Sequence, residues 1–73
     1  MNHTITADDI KVGDQLVVDF NSYDRDHGTV EVTVLDREDI LDGDGPCVWL
    51  ELEAPDFTDE LIVFDWVEFT VKM

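Results

Sequence analysis

The chain has 73 residues, 19 of them Asp or Glu and only four Lys or Arg, for a formal net charge of −15 at pH 7. An apolar fraction of 44% suits a globular domain and is too high for a disordered acidic tail. The length allows one domain that buries only about 60% of its unfolded surface, and the longest apolar run, Leu61–Phe64, is far too short for a membrane-spanning helix.

Residues 1–5 read as a flexible arm and residues 6–73 as the single folded domain. The stretch from Met1 to Asp9 has neither the basic region nor the apolar core of a signal peptide. Thr6-Ala7-Asp8-Asp9 sets a hydroxyl three residues before a carboxylate, the pattern of a capping box, and predicts one short helical turn. Gly13-Asp14 then turns the chain into a first strand, Gln15–Phe20, with Leu16, Val18 and Phe20 on one face. Asn21–Gly28 is a polar loop of turn-forming residues. Thr29–Leu35 is the clearest strand, with Val30, Val32 and Val34 facing one way and Thr29, Glu31 and Thr33 the other. Asp36–Pro46 reads as a second, acidic loop. Cys47–Glu53 alternates again, with Val48, Leu50 and Leu52 inward and Glu51 and Glu53 outward, until Pro55 ends it. Glu60–Phe64 forms a fourth strand and Val67–Val71 a fifth, with Val67, Phe69 and Val71 inward. The join near Asp65 fits a tight turn, a bulge or a continuous bent strand.

Five short alternating strands predict an all-β fold, and closure into a barrel would remove the adhesive edges of a small open sheet. A first strand, a long loop, a long second strand and then three more strands resemble the order of an SH3-like small barrel. An OB-like barrel is the alternative, weakened by the lack of a helix between the third and fourth strands. The resemblance is one of architecture: the acidic-aromatic opening signature of SH3 peptide binders is missing, so none of their binding residues carries over.

The acids are spread along the chain. No run exceeds two residues, as at Asp8-Asp9, Glu38-Asp39 and Asp59-Glu60, whereas a solvating or partner-binding tail would be a block. Glu takes outward strand positions 31, 51, 53 and 68, while Asp crowds turns, where its side chain competes usefully for backbone hydrogen bonds. Arg25 lies between Asp24 and Asp26, and Arg37 between Asp36 and Glu38. Folding such a chain brings like charges together. The Debye length is about 8 Å at physiological salt and about 3 Å at 1 M, so molar salt removes most of that repulsion. In composition the chain is similar to small acidic proteins of haloarchaea. That likeness implies a salt-filled cytoplasm, and it names a habitat, not a functional family. The same charge also fits nucleic-acid mimicry directed at a basic partner, or an acidic domain with no such meaning. The single cysteine, Cys47, has no partner for an internal disulfide, in keeping with a reducing cytoplasm.

Chemistry-bearing constellations are sparse. Asp42-Gly43-Asp44-Gly45 followed by Glu51 matches the second half of a calcium loop. Ile40 occupies the first ligand position, however, and Asp-Gly pairs are ordinary turn formers. Asp42, Asp44 and Glu51 are therefore weak metal candidates, and no cofactor is expected. Asp24, Asp26 and His27 offer one imidazole among carboxylates without the Cys pair or second His of a zinc site, and read as a solvated loop. No base adjoins Cys47 and no nucleophile–base pair is visible, so an enzyme is not expected.

The contact candidates are apolar. Alternation puts Trp49 on the face of Glu51 and Glu53, and Trp66 on the face of Glu68 and Thr70, with Val17 and Leu35 also outward. Tyr23 lies in the long polar loop, where exposed aromatic residues often serve as contacts. Large apolar side chains on an acidic face suggest an interface, against the rival reading that each Trp packs beneath a loop. The expected interaction residues are thus Trp49, Trp66, Tyr23 and Leu35. The expected function is a non-catalytic protein-interaction module that docks a protein partner or a second copy of itself. The alternative is a nucleic-acid-associated regulator or DNA mimic. Four cations, two flanked by acids, oppose direct binding to phosphate, and no membrane or small-molecule substrate is implied.

Overall fold

Alternation builds the central strands where the sequence places them. The computed structural model describes residues 2–72, apart from the side chains of Asn2 and Asp42. The strands are β1 (Asn2–Thr6), β2 (Gln15–Asp19), β3 (Thr29–Asp42), β4 (Gly45–Glu53), β5 (Thr58–Phe64) and β6 (Glu68–Lys72). Two 3-10 turns, η1 (Ala7–Asp9) and η2 (Phe20–Tyr23), follow β1 and β2. The fold is all-β, in one antiparallel sheet of order β1-β6-β2-β3-β4-β5. The ladder is open, with β1 and β5 as its edges. No helix among the described residues is long and apolar enough to cross a membrane.

Six strands replace the five expected because the N-terminal segment is not an arm. Residues 2–6 pair with β6 in unbroken register from Asn2↔Lys72 to Thr6↔Glu68. Thr and Ile suit a pleated, half-buried surface; Ile5 packs against the core, and the Ala7 amide continues the pairing to the Val67 carbonyl at 2.8 Å. The short turn at Thr6 is present as η1, but without a capping box. The Thr6 hydroxyl donates to the carboxylates of Asp8 and Asp9 in charge-assisted bonds, and its oxygen accepts from no backbone amide of the turn.

The acidic stretch expected as a loop from Asp36 to Pro46 is instead a β-hairpin. β3 continues to Asp42, β4 begins at Gly45, and only Gly43-Asp44 remains as the turn. A bulge between Val34 and Asp36 explains why alternation did not extend that far. Before it, Val32 and Val34 are buried; after it the phase flips, so that Arg37 lies opposite Leu50 and Asp39 opposite Val48. The partly buried Arg37 guanidinium donates to the carbonyls of Ile10 (2.7 Å) and Asp8 (3.1 Å), fastening η1 over this end of the sheet.

One core collects the buried residues of β2 to β6. Leu16, Val18, Val34, Leu50, Leu52 and Phe20 are each no more than 1% exposed, and each such burial contributes about 1.5–3 kcal/mol. The expected solvated loop at Asp24–His27 is partly docked. His27 stacks on Phe57, with ring centroids 3.7 Å apart, and meets the edge of Phe20 at 5.3 Å. The Asp59 carboxylate accepts from Arg25 Nε at 3.1 Å and faces His27 Nε2 at 3.4 Å.

Candidate functional site

Residues directly opposite in adjacent strands share a face, and this assembles an outer surface on β3, β4 and β5. Its first row is Ile40–Cys47–Phe64, in which Cys47 itself is buried, its second Glu38–Trp49–Ile62 and its third Asp36–Glu51–Glu60. Apolar character thus fades into a row of three carboxylates, which repel one another across the strands. Trp49 draws one of them aside: its indole Nε1–H donates to Glu60 Oε1 at 3.1 Å.

Trp49 is half-buried, with Ile62 beside it 62% exposed. Trp66 does not lie on the last strand. It projects from the tight turn between β5 and β6, closed by Val67 N–H donating to the Phe64 carbonyl at 3.1 Å. Its ring stacks on Phe64 with centroids 5.7 Å apart and remains 68% exposed. Phe64 and Ile62 therefore link the two tryptophans into one outer apolar surface. Tyr23, the last residue of η2, is half-buried and stacks on Phe69 at 6.3 Å. Burial, and then the charge of Asp19, raise its phenol pKa above the ordinary tyrosine value. Tyr23 and Trp49 line a common cleft of about 420 Å³ together with Asp24, Arg25, Glu60 and Ile62. Leu35 sits at the β3 bulge, 39% exposed, and does not line that cleft.

The outward Val17 is accounted for separately. It lies between Thr70 of β6 and Glu31 of β3, and Lys72 Nζ reaches Glu31 across it at 2.8 Å. A second cavity, of about 390 Å³, is bordered by Ile40, Leu41, Pro46 and Cys47 with Asp39 and Asp65 at its rim.

The weak metal candidates do not converge. Asp44 is in the hairpin turn and Glu51 is seven residues further along an extended strand, which separates them by about 23 Å at a rise of 3.2–3.4 Å per residue. The Asp42 side chain lies outside the described residues. Among the described residues no three His, Cys, Asp or Glu side chains gather as a metal-holding group.

Sequence reasoning missed Ile62, Phe64 and Glu60 as members of the surface. The signal was available: once Leu61 and Val63 face inward, alternation turns the residues on either side of them outward. What the arrangement can do chemically is to bury apolar groups against aromatic rings and to attract cations with the carboxylates beside them. No family model, curated protein or solved structure matches this chain.

Proposed function

We propose that this chain is a non-catalytic protein-interaction module, an SH3-like small barrel adapted to a salt-rich cytoplasm, that docks a protein partner through the Trp49–Trp66 surface. The observation that carries the reading is the exposure of Ile62 and Trp66 beside Trp49 and Phe64. A contiguous apolar surface rimmed by charge is the usual form of a contact site, and aromatic anchors supply most of the energy at such sites. The strand sequence β6-β2-β3-β4-β5, with the long β3 shared between two ladders, supports the SH3-like part of the reading. Even spacing of the acids supports adaptation to salt over an acidic tail.

The test is capture of partners from a lysate kept in molar potassium chloride, with wild-type chain and the variants Trp49→Ala and Trp66→Ala as bait. A specific partner held by wild type is expected to be lost, with binding weakened by about 1–3 kcal/mol for the better anchor. Equal capture by all three baits would remove the surface from consideration.

A further inference from the structure

The edge of β5 runs beside the Trp49 cleft, and its backbone is only partly engaged. In an antiparallel ladder, alternate residues turn both backbone groups toward the neighbouring strand and the residues between turn both away. Asp65 N–H donates to the Pro46 carbonyl at 3.2 Å, which makes Val63 and Leu61 the ladder-facing residues and leaves Glu60, Ile62 and Phe64 facing outward. The Glu60 amide bonds the Asp59 carboxylate at 2.8 Å, and the Glu60 carbonyl accepts from Arg25 Nη2 at 3.3 Å. The Phe64 carbonyl accepts from Val67 within the turn. Between these engaged positions Ile62 presents its N–H and C=O to the open edge, beside a side chain that is itself 62% exposed.

The charge of the cleft selects its occupant. Trp49 and Tyr23 both border the cleft and give it an apolar lining on which the stem of a long side chain can rest. Its charge is acidic: Asp24 and Glu60 line it, Arg25 is already paired with Asp59, and the chain as a whole carries −15. A second copy would bring the same excess of negative charge, whereas a basic segment would neutralise it. We infer that the β5 edge takes an extended, basic segment of a partner protein as an added strand. Its backbone exchanges hydrogen bonds with Ile62, and a Lys or Arg side chain enters between the Trp49 ring and the Asp24 and Glu60 carboxylates. Backbone pairing supplies affinity in this mode and alternate side chains supply selectivity. The inference rests on the interaction-module reading and specifies the partner's chemistry.

The probe is a fluorescein-labelled peptide of alternating lysine and valine, titrated into the full chain in about 1 M potassium chloride, where diffuse charge attraction is screened. The expected result is saturable binding, with the largest amide proton shifts at Ile62 and at the Trp49 indole N–H. A peptide alternating lysine with proline keeps the charge but cannot pair as a strand, and is expected to bind at least about tenfold more weakly. Ile62→Pro removes an edge N–H outside the ladder and is expected to weaken the valine peptide by a similar factor; Glu60→Gln should weaken it about threefold. Equal binding of the two peptides, or shifts centred away from β5, would overturn the inference even if Ile62→Pro proved unstable. Sedimentation revealing a peptide-free dimer that Ile62→Pro dissociates would assign the edge to a second copy and likewise overturn it. A natural partner released by Trp49→Ala but retained by Ile62→Pro would preserve the apolar docking surface and eliminate strand addition.

Discussion

Arg37 is flanked in the chain by Asp36 and Glu38, yet its guanidinium serves the carbonyls of Asp8 and Ile10 and pairs with Asp39. Arg25, set between Asp24 and Asp26, reaches Asp59 instead. Adjacent residues of a strand point to opposite faces, so for Arg37 in β3 the sequence neighbours are poor partners and a residue two apart is a good one; Arg25 lies in the loop between η2 and β3, which carries it to Asp59. Arg37→Met would keep much of the stem but leave the Asp8 and Ile10 carbonyls without their donor. It is expected to lower stability by about 1–3 kcal/mol, read by urea unfolding in high salt. Tyr23 bears on alkaline stability. Its phenol is raised by burial and by Asp19, so the folded state holds that proton more tightly than the unfolded state does. The stabilisation is fully present below the ordinary tyrosine pKa of about 10 and is lost as pH rises through the raised folded value. Melting temperature is therefore expected to fall with increasing pH above about 10, and less steeply in Tyr23→Phe; parallel alkaline profiles would exclude Tyr23 as the source.

At the scale of elements, legibility followed periodicity. β2, the first half of β3, and β4 were readable because valine and leucine recur at every second position against a buried face. The second half of β3 was not, since its residues are mostly charged and the bulge at Leu35 reverses which positions face in. β1 was hidden for another reason: its stability comes from pairing with β6, a partner more than sixty residues away, and five residues with one half-buried Ile give little pattern. The hairpin joining β3 to β4 depends on Gly45, whose φ of +125° is a conformation that L side chains rarely adopt. Space is not the obstacle, for a Cβ there meets nothing within 4 Å. Gly45→Ala is expected to cost about 1–3 kcal/mol through backbone strain alone, measured by thermal or denaturant unfolding. The same hairpin carries Leu41, 84% exposed, on the opposite side of β3 from Ile40, which flanks Cys47 in the outer apolar row. Of the candidate surface, Trp49 was legible from alternation. Trp66 was placed on the wrong element because a tight turn and a continued strand look alike around Asp65, and the decisive bond lies between backbone atoms of Phe64 and Val67.

For the whole molecule, charge sets the conditions under which the rest applies. Three of the four cations are engaged with carboxylates, which leaves most of the acids facing water and one another, as in the row Asp36–Glu51–Glu60. Surface pairs contribute only about 0–1 kcal/mol each and cannot offset a charge of −15. Melting temperature is expected to rise steadily between about 0.01 M and 1 M potassium chloride, as the screening length shrinks from about 30 to 3 Å. A flat profile would show that the acids impose no burden and would remove the argument for a salt-rich compartment.

Composition and alternation by themselves determined that the chain is acidic and all-β, because burial at period two is a local property written along each strand. The number of strands, the bulge, the edge position of β5 and the union of Trp49, Ile62, Phe64 and Trp66 on one surface were decided by tertiary structure. Those features depend on which strands become neighbours and in what register, and such long-range pairing leaves no periodic trace in a single sequence.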